Sequence, residues 1–255
     1  MEYAVVVVAA APLRKRPNHR REMVNQLLFG EMVHVLKERG RQWIKVSGLH
    51  DHYEGWLTRN LVQPIDEREA LIACSNVTTG ILNTVEIKSK ILNIPFASSL
   101  PLMEAGEGKI GNSRYHYSGK FTDRFQQQPG LEVLQTLTHP WVNAPYMWGG
   151  RTVLGVDCSG FVQVIYKMMG FDLPRDAWQQ AQEGKTIKKL RDASAGDLVF
   201  FDDKDEIVHT GILLGHEQII HASGTVRVDP IDKKGIIHAE ERRRTHRLEL
   251  IKRVW

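Results

Sequence analysis

Short runs of alternating apolar and polar residues crowd the first 64 positions, each cut off by a turn. Residues 4–9, 31–37, 43–46 and 55–57 read as strands of this kind. A period of two puts every second side chain on one face of a sheet. Strands this short, with turns this frequent, bury that face by folding the sheet on itself. The front of the chain is therefore expected to be a small all-β barrel over residues 1–64.

Residues 65–128 carry weaker patterns without helical period, punctuated by Gly106, Gly108, Gly111 and Gly119. They are expected to form a second, degenerate barrel, and residues 126–130 read as a linker. From about residue 131 the texture changes. Residues 131–138 suggest a short amphipathic helix. After Cys158, the apolar residues Phe161, Val164, Ile165, Met168 and Met169 fall at helical spacing, and Gly170 supplies a stop. Residues 176–183 suggest another short helix; 198–201, 207–214, 218–222 and 247–254 read as strands. The expected fold class is α+β, with domains at 1–64, 65–128 and 129–255.

Lysine and arginine total 34 against 30 acidic residues, a net charge of +4. That is too mild for a dedicated nucleic-acid binder and suits an anionic small substrate as well. The basic run 242–247 reads as a solvated loop. Cys74 and Cys158 are too few for a disulfide framework or a cysteine-rich zinc site. No apolar stretch is long enough to span a bilayer. The first residues lack a basic segment and carry Glu2, which favours a cytoplasmic location; an exported chain trimmed of its leader would read the same way.

Chemistry concentrates around Cys158. At the start of a helix its sulfur faces unpaired N–H groups and the positive end of the helix dipole, which should lower the thiol's pKa. His209 and His221 are each a single polar residue within an apolar strand. Neighbouring strands could set one imidazole against the sulfur and the other behind the first, fixing its tautomer. The other histidines, His246 among them, read as ordinary core or surface residues. His50 and His52 lack a third ligand, so no metal is expected. Trp43 and Trp148 read as packing residues and Cys74 as a small buried one.

The runs Tyr146-Met147-Trp148-Gly149-Gly150, Asp157-Cys158-Ser159-Gly160-Phe161, Leu173-Pro174-Arg175-Asp176 and Gly196-Asp197-Leu198-Val199-Phe200-Phe201, followed by the His209 and His221 strands, resemble the catalytic domain of the NlpC/P60 cysteine peptidases. Trp43-Ile44-Lys45-Val46 and Gly55-Trp56-Leu57 make the front segment similar to a bacterial SH3-type (SH3b) domain. Together they resemble the subgroup that cleaves γ-D-glutamyl-diamino acid bonds in free murein peptides.

The resemblance implies a papain-like catalytic domain without a cofactor. Cys158 would be the nucleophile, His209 the base and acid, His221 the orienting residue, and Tyr146 a donor to the oxyanion. Asp157 and Ser159 would help bind the substrate's free N-terminus, Glu22 and Tyr53 would close the non-primed side of the cleft, and the carboxylates of Asp157 and Glu22 would hold the ammonium by charge-assisted hydrogen bonds. Ala177 departs from the small hydroxyl residue of some relatives. The implied partner is a murein tri- or tetrapeptide, with neither nucleic acid nor membrane bound, and a monomer is expected. An amidase on the same core, or a non-catalytic binder of wall peptides, remains open at this point.

Overall fold

In the computed structural model, which describes all 255 residues, the early alternation becomes antiparallel sheet. Strands β1 (Tyr3–Val6), β2 (Ala10–Arg14), β3 (Met23–Leu28), β4 (Met32–Arg39), β5 (Trp43–Gly48), β6 (Glu54–Thr58) and β7 (Val62–Ile65) join in the order β3-β2-β6-β5-β4-β1-β7. Ala4, Val6, Leu13, Leu27, Val33, Ile44 and Leu57 meet in one core. Position 55 must be glycine, because a Cβ there would lie 2.5 Å from the Leu13 side chain.

The next stretch comprises α1 (Glu67–Leu71), β8 (Asn76–Thr78), β9 (Leu82–Ile87), β10 (Lys90–Pro95), β11 (Glu107–Ile110), β12 (Ser113–His116) and β13 (Phe121–Asp123). These form a sheet β10-β9-β12-β11 and a ribbon β13-β8. Val5, Phe29 and Met32 pack with Val85, Ile94, Leu100, Ile110 and Tyr115 in a common core. Strand β1 thus buries both faces, Ala4 and Val6 toward one core and Val5 toward the other. The two stretches expected as separate barrels instead form a single unit, residues 1–127, because β1 serves both cores.

A further segment, 148–153, with β14 (Arg151–Thr152), packs with this first unit although it lies within the stretch begun at 129. The reason is electrostatic. Arg151 is wholly buried, with guanidinium nitrogens 2.8 and 3.0 Å from the Glu31 carboxylate and 2.9 Å from the carbonyl oxygen of Gln26. Its own N–H donates to Gln26 Oε1 at 2.9 Å. A charge so buried must sit with its counter-charge.

The second unit is 128–147 with 154–255. It contains α2 (Leu131–Thr138), β15 (Gly155–Val156), α3 (Cys158–Met168), α4 (Ala177–Gln180), β16 (Lys185–Thr186), β17 (Leu198–Asp203), β18 (Glu206–Leu213), β19 (Gln218–Ser223), β20 (Thr225–Asp232), β21 (Gly235–Ile237) and β22 (Arg244–Arg253). Strands β17 to β22 pair antiparallel in chain order, and β22 returns to pair with β17, closing a six-stranded barrel. Val199, Phe201, Leu213, Ile219, Ile231, Ile236 and Ile251 are packed into its core. The fold is α+β.

Helix α3 lies on β18 and β19 with every residue buried. Asp157 caps it, accepting from the Gly160 N–H at 2.7 Å. The helix ends where Gly170 turns with φ +87°. Gln180 ties α4 to it, donating to the Ser159 and Pro174 carbonyls at 3.0 and 2.9 Å. No helix is long and apolar enough to cross a membrane.

Candidate active site

The α3 cap sets the position of Cys158. Asp157 is extended and Cys158 opens the helix, so its sulfur sits where the first N–H groups are unpaired. The N–H groups of Ser159 and of Thr210, from β18, turn toward it. His209 immediately precedes Thr210 on that strand. Its Nε2 lies 2.8 Å from Nδ1 of His221 on β19, with the rings nearly perpendicular. Gly211 stands opposite His221 in the β18–β19 register. A Cβ at 211 would approach His221 Cβ to 2.8 Å, so the glycine two residues after His209 makes room for the second imidazole.

Two further groups complete the cluster. His221 Nε2 lies 3.0 Å from the Asp229 carboxylate on β20, which also accepts from Arg227 Nε at 2.8 Å and the Ala239 N–H at 3.0 Å. His246, on β22, stacks on His209 with ring centroids 4.2 Å apart and planes 23° from parallel. It lies in the basic run expected to be a solvated loop, but this part of the run is strand and closes the barrel.

Burial dominates the electrostatics. It pushes the Cys158 thiol up to about 12, and the Asp157 charge adds to the rise. The N–H groups of Thr210 and Ser159 and the Arg175 charge oppose the rise without reversing it. The lowered thiol expected from a helix start is therefore not found: desolvation outweighs the N–H groups and the Arg175 charge. Burial also holds His209 well below its ordinary value, assisted by His221, His246 and Arg227. It lowers His221 too, against the pull of Asp229, and takes His246 down to about 4. At rest the Cys158 thiol and the His209 imidazole are both neutral.

Tyr146 is anchored by its N–H to the Gly224 carbonyl at 2.8 Å and by a bridge to Val156. Burial, then the charges of Cys158 and Asp157, push its hydroxyl upward, so it keeps its proton and can donate. Asp157 and Ser159 are both buried and both bound by Arg175, at 2.6 Å to the carboxylate and 2.9 Å to the hydroxyl. The second unit thus assembles Cys158, His209, His221, Asp157, Ser159 and Tyr146.

Glu22 and Tyr53 belong to the first unit. Glu22 accepts from Trp148 Nε1 at 3.0 Å, and Trp148, expected in packing, is 59% exposed. Tyr53 packs at the edge of the β1–β7 sheet's core, its N–H donating to Asp51 at 3.0 Å.

Residue patterns alone missed Asp229, His246 and the pairing role of Arg175. Asp229-Pro230 carries the signature of a turn, which hides a strand. No group of three or more histidine, cysteine or acidic side chains is placed to hold a metal ion.

Residues 143–242 match the NlpC/P60 family, and residues 13–60 match the bacterial dipeptidyl-peptidase Sh3 domain. The chain is 31% identical over 224 residues to the gamma-D-glutamyl-L-lysine dipeptidyl-peptidase of Bacillus subtilis (strain 168), spanning 78% of this chain and 72% of that one. It is 26% identical over 265 residues to dipeptidyl-peptidase 6 of Lysinibacillus sphaericus, covering 93% and 95% of the two. Its fold superposes on the crystal structure of an NlpC/P60 family protein from Bacillus cereus ATCC 10987 with a TM-score of 0.81, at 21% identity and 99% coverage of both chains.

Proposed function

Given that the chain belongs to the NlpC/P60 family of peptidoglycan peptidases, we propose that it hydrolyses the γ-D-glutamyl-diamino acid bond of murein stem peptides that carry a free N-terminal L-Ala. The observation that carries this reading is the 2.8 Å pairing of His209 with His221, on a strand whose next residue, Thr210, turns its N–H to the Cys158 sulfur. The name of the Bacillus subtilis relative supports the bond, and the term dipeptidyl-peptidase supports release of an N-terminal dipeptide.

In the reaction the Cys158 proton passes to His209 and the sulfur attacks the γ-glutamyl carbonyl carbon. The oxyanion receives hydrogen bonds from the Tyr146 hydroxyl and from backbone N–H groups near Cys158. The C–N bond then breaks as His209 gives its proton to the leaving amine of the diamino acid. His209 next removes a proton from water, which opens the thioester and frees the dipeptide. Asp157 and Ser159 contribute to holding the substrate's ammonium. The family resemblance assigns Glu22 and Tyr53 to substrate binding as well.

A substrate with a free amine fits the recycling of wall fragments in the cytoplasm. The test is mass spectrometry of products from free tri- and tetrapeptides and from the same peptides joined to glycan. Cleavage of the free peptides after the second residue is expected, with the Cys158→Ala variant inactive. Cleavage of glycan-linked peptides alone, or equal turnover by the variant, would overturn the reading.

A further inference from the structure

We propose that Asp229 is a positioning residue that sets the direction of the hydrogen-bond chain through His221 and leaves Nδ1 of His209 bare to take the thiol proton. The inference rests on the reading of Cys158 as nucleophile and His209 as its base.

Two partners of the Asp229 carboxylate are fixed donors, Arg227 Nε at 2.8 Å and the Ala239 N–H at 3.0 Å, and His221 Nε2 lies 3.0 Å from it. Hydrogen bonds from these groups hold the carboxyl well below its usual range, against its burial, so it is ionised and only accepts. The hydrogen of His221 must therefore sit on Nε2. Burial keeps His221 neutral, with a single ring hydrogen, so its Nδ1 is a bare acceptor. That Nδ1 lies 2.8 Å from His209 Nε2, and one of the two must donate. His209 Nε2 carries the hydrogen, and its remaining nitrogen, Nδ1, holds a lone pair. When catalysis begins the S–H bond of Cys158 breaks and an N–H bond forms at His209 Nδ1. Thiolate and imidazolium result, and the new positive charge faces a chain that ends on a carboxylate. Reversing one bond would protonate Nδ1 and remove the base.

Arg227 is the adjustable partner. Its side chain is 21% exposed, whereas the Ala239 N–H is fixed in the backbone. In an Asp229→Asn variant the amide oxygen stays with Ala239, Arg227 swings outward, and the amide N–H faces His221. That inverts the chain: His221 carries its hydrogen on Nδ1, His209 Nε2 accepts, and Nδ1 of His209 is blocked.

Ring-nitrogen NMR on histidine-labelled, substrate-free protein reads these tautomers directly. The parent is expected to show Nε2–H at both His209 and His221, and Asp229→Asn to show Nδ1–H at both. With a peptide that the parent cleaves, kcat of the variant is expected to fall about 100-fold or more while KM stays unchanged. Nδ1–H at His209 in the parent would overturn the proposal, and so would an Asp229→Asn variant with parental tautomers, whatever its activity. If that variant does not fold, the parent spectrum decides alone. The NMR arm contains no substrate, so a wrong choice of peptide leaves it untouched. A wrong nucleophile would appear separately, as turnover retained in Cys158→Ala.

Discussion

Arg175 meets Asp157 at 2.6 Å with both side chains buried, and its other terminal nitrogen holds the Ser159 hydroxyl at 2.9 Å. The guanidinium therefore braces the residues on both sides of Cys158 while balancing the carboxylate that caps α3. Removing it strands a buried negative charge. Arg175→Met is expected to cost about 3–5 kcal/mol in urea unfolding, the usual range for losing one partner of a buried pair. A cost below about 1 kcal/mol, typical of exposed pairs, would show that water reaches Asp157.

Arg151 and Glu31 make the corresponding pair in the first unit, and there coupling is the informative quantity. Each single change, Arg151→Met or Glu31→Gln, leaves a buried group without its partner and is expected to cost about 3–5 kcal/mol. The double variant removes both charges and should cost clearly less than the two singles together. A double-mutant cycle from denaturant melts measures the difference. Strict additivity would mean that the two side chains act independently despite a separation of 2.8 Å.

The buried thiol also predicts an unusual alkylation profile. Only thiolate reacts with iodoacetamide, and burial pushes Cys158 up to about 12. In the free protein its alkylation should be slower at neutral pH than that of an unperturbed thiol, and should keep rising with pH beyond the range where an ordinary cysteine levels off. Mass spectrometry separates its modification from that of the half-buried Cys74. A plateau near pH 6 would mean that a preformed thiolate-imidazolium pair exists without substrate.

What could be read from residues alone was whatever depends on near neighbours. Helical spacing after Cys158, the Gly170 stop and the lone polar residues His209 and His221 are all local signals, and each marked its element. The tie of Arg151 to Glu31 was not legible, because the partner lies 120 positions away and nothing nearby announces it. Asp229 was hidden by the proline after it, although β20 accommodates Pro230 as an exposed residue. His246 was lost in a run of arginines whose charges suggest solvent, while the ring itself turns onto His209. The direction of the thiol shift failed for another reason. The helix dipole can be inferred from a sequence, but the depth of burial that opposes it emerges only from the packed fold.

The three-imidazole cluster makes stability depend on pH in a definite sense. His209, His221 and His246 are all held below their ordinary value of 6.5. Between that value and their lower folded values, about 4 for His246, the unfolded chain binds more protons than the folded one. Proton uptake then favours unfolding, so stability is fully present above about pH 6.5 and is lost as pH falls through this window. Thermal unfolding should give a Tm that is level from about pH 8 to 7 and declines steadily toward pH 5. His246→Phe keeps an aromatic ring against His209 and removes one titrating group, so its Tm should fall less over the same interval. Equal slopes in the two proteins would show that His246 takes up its proton while folded, and that the stack on His209 accommodates an imidazolium.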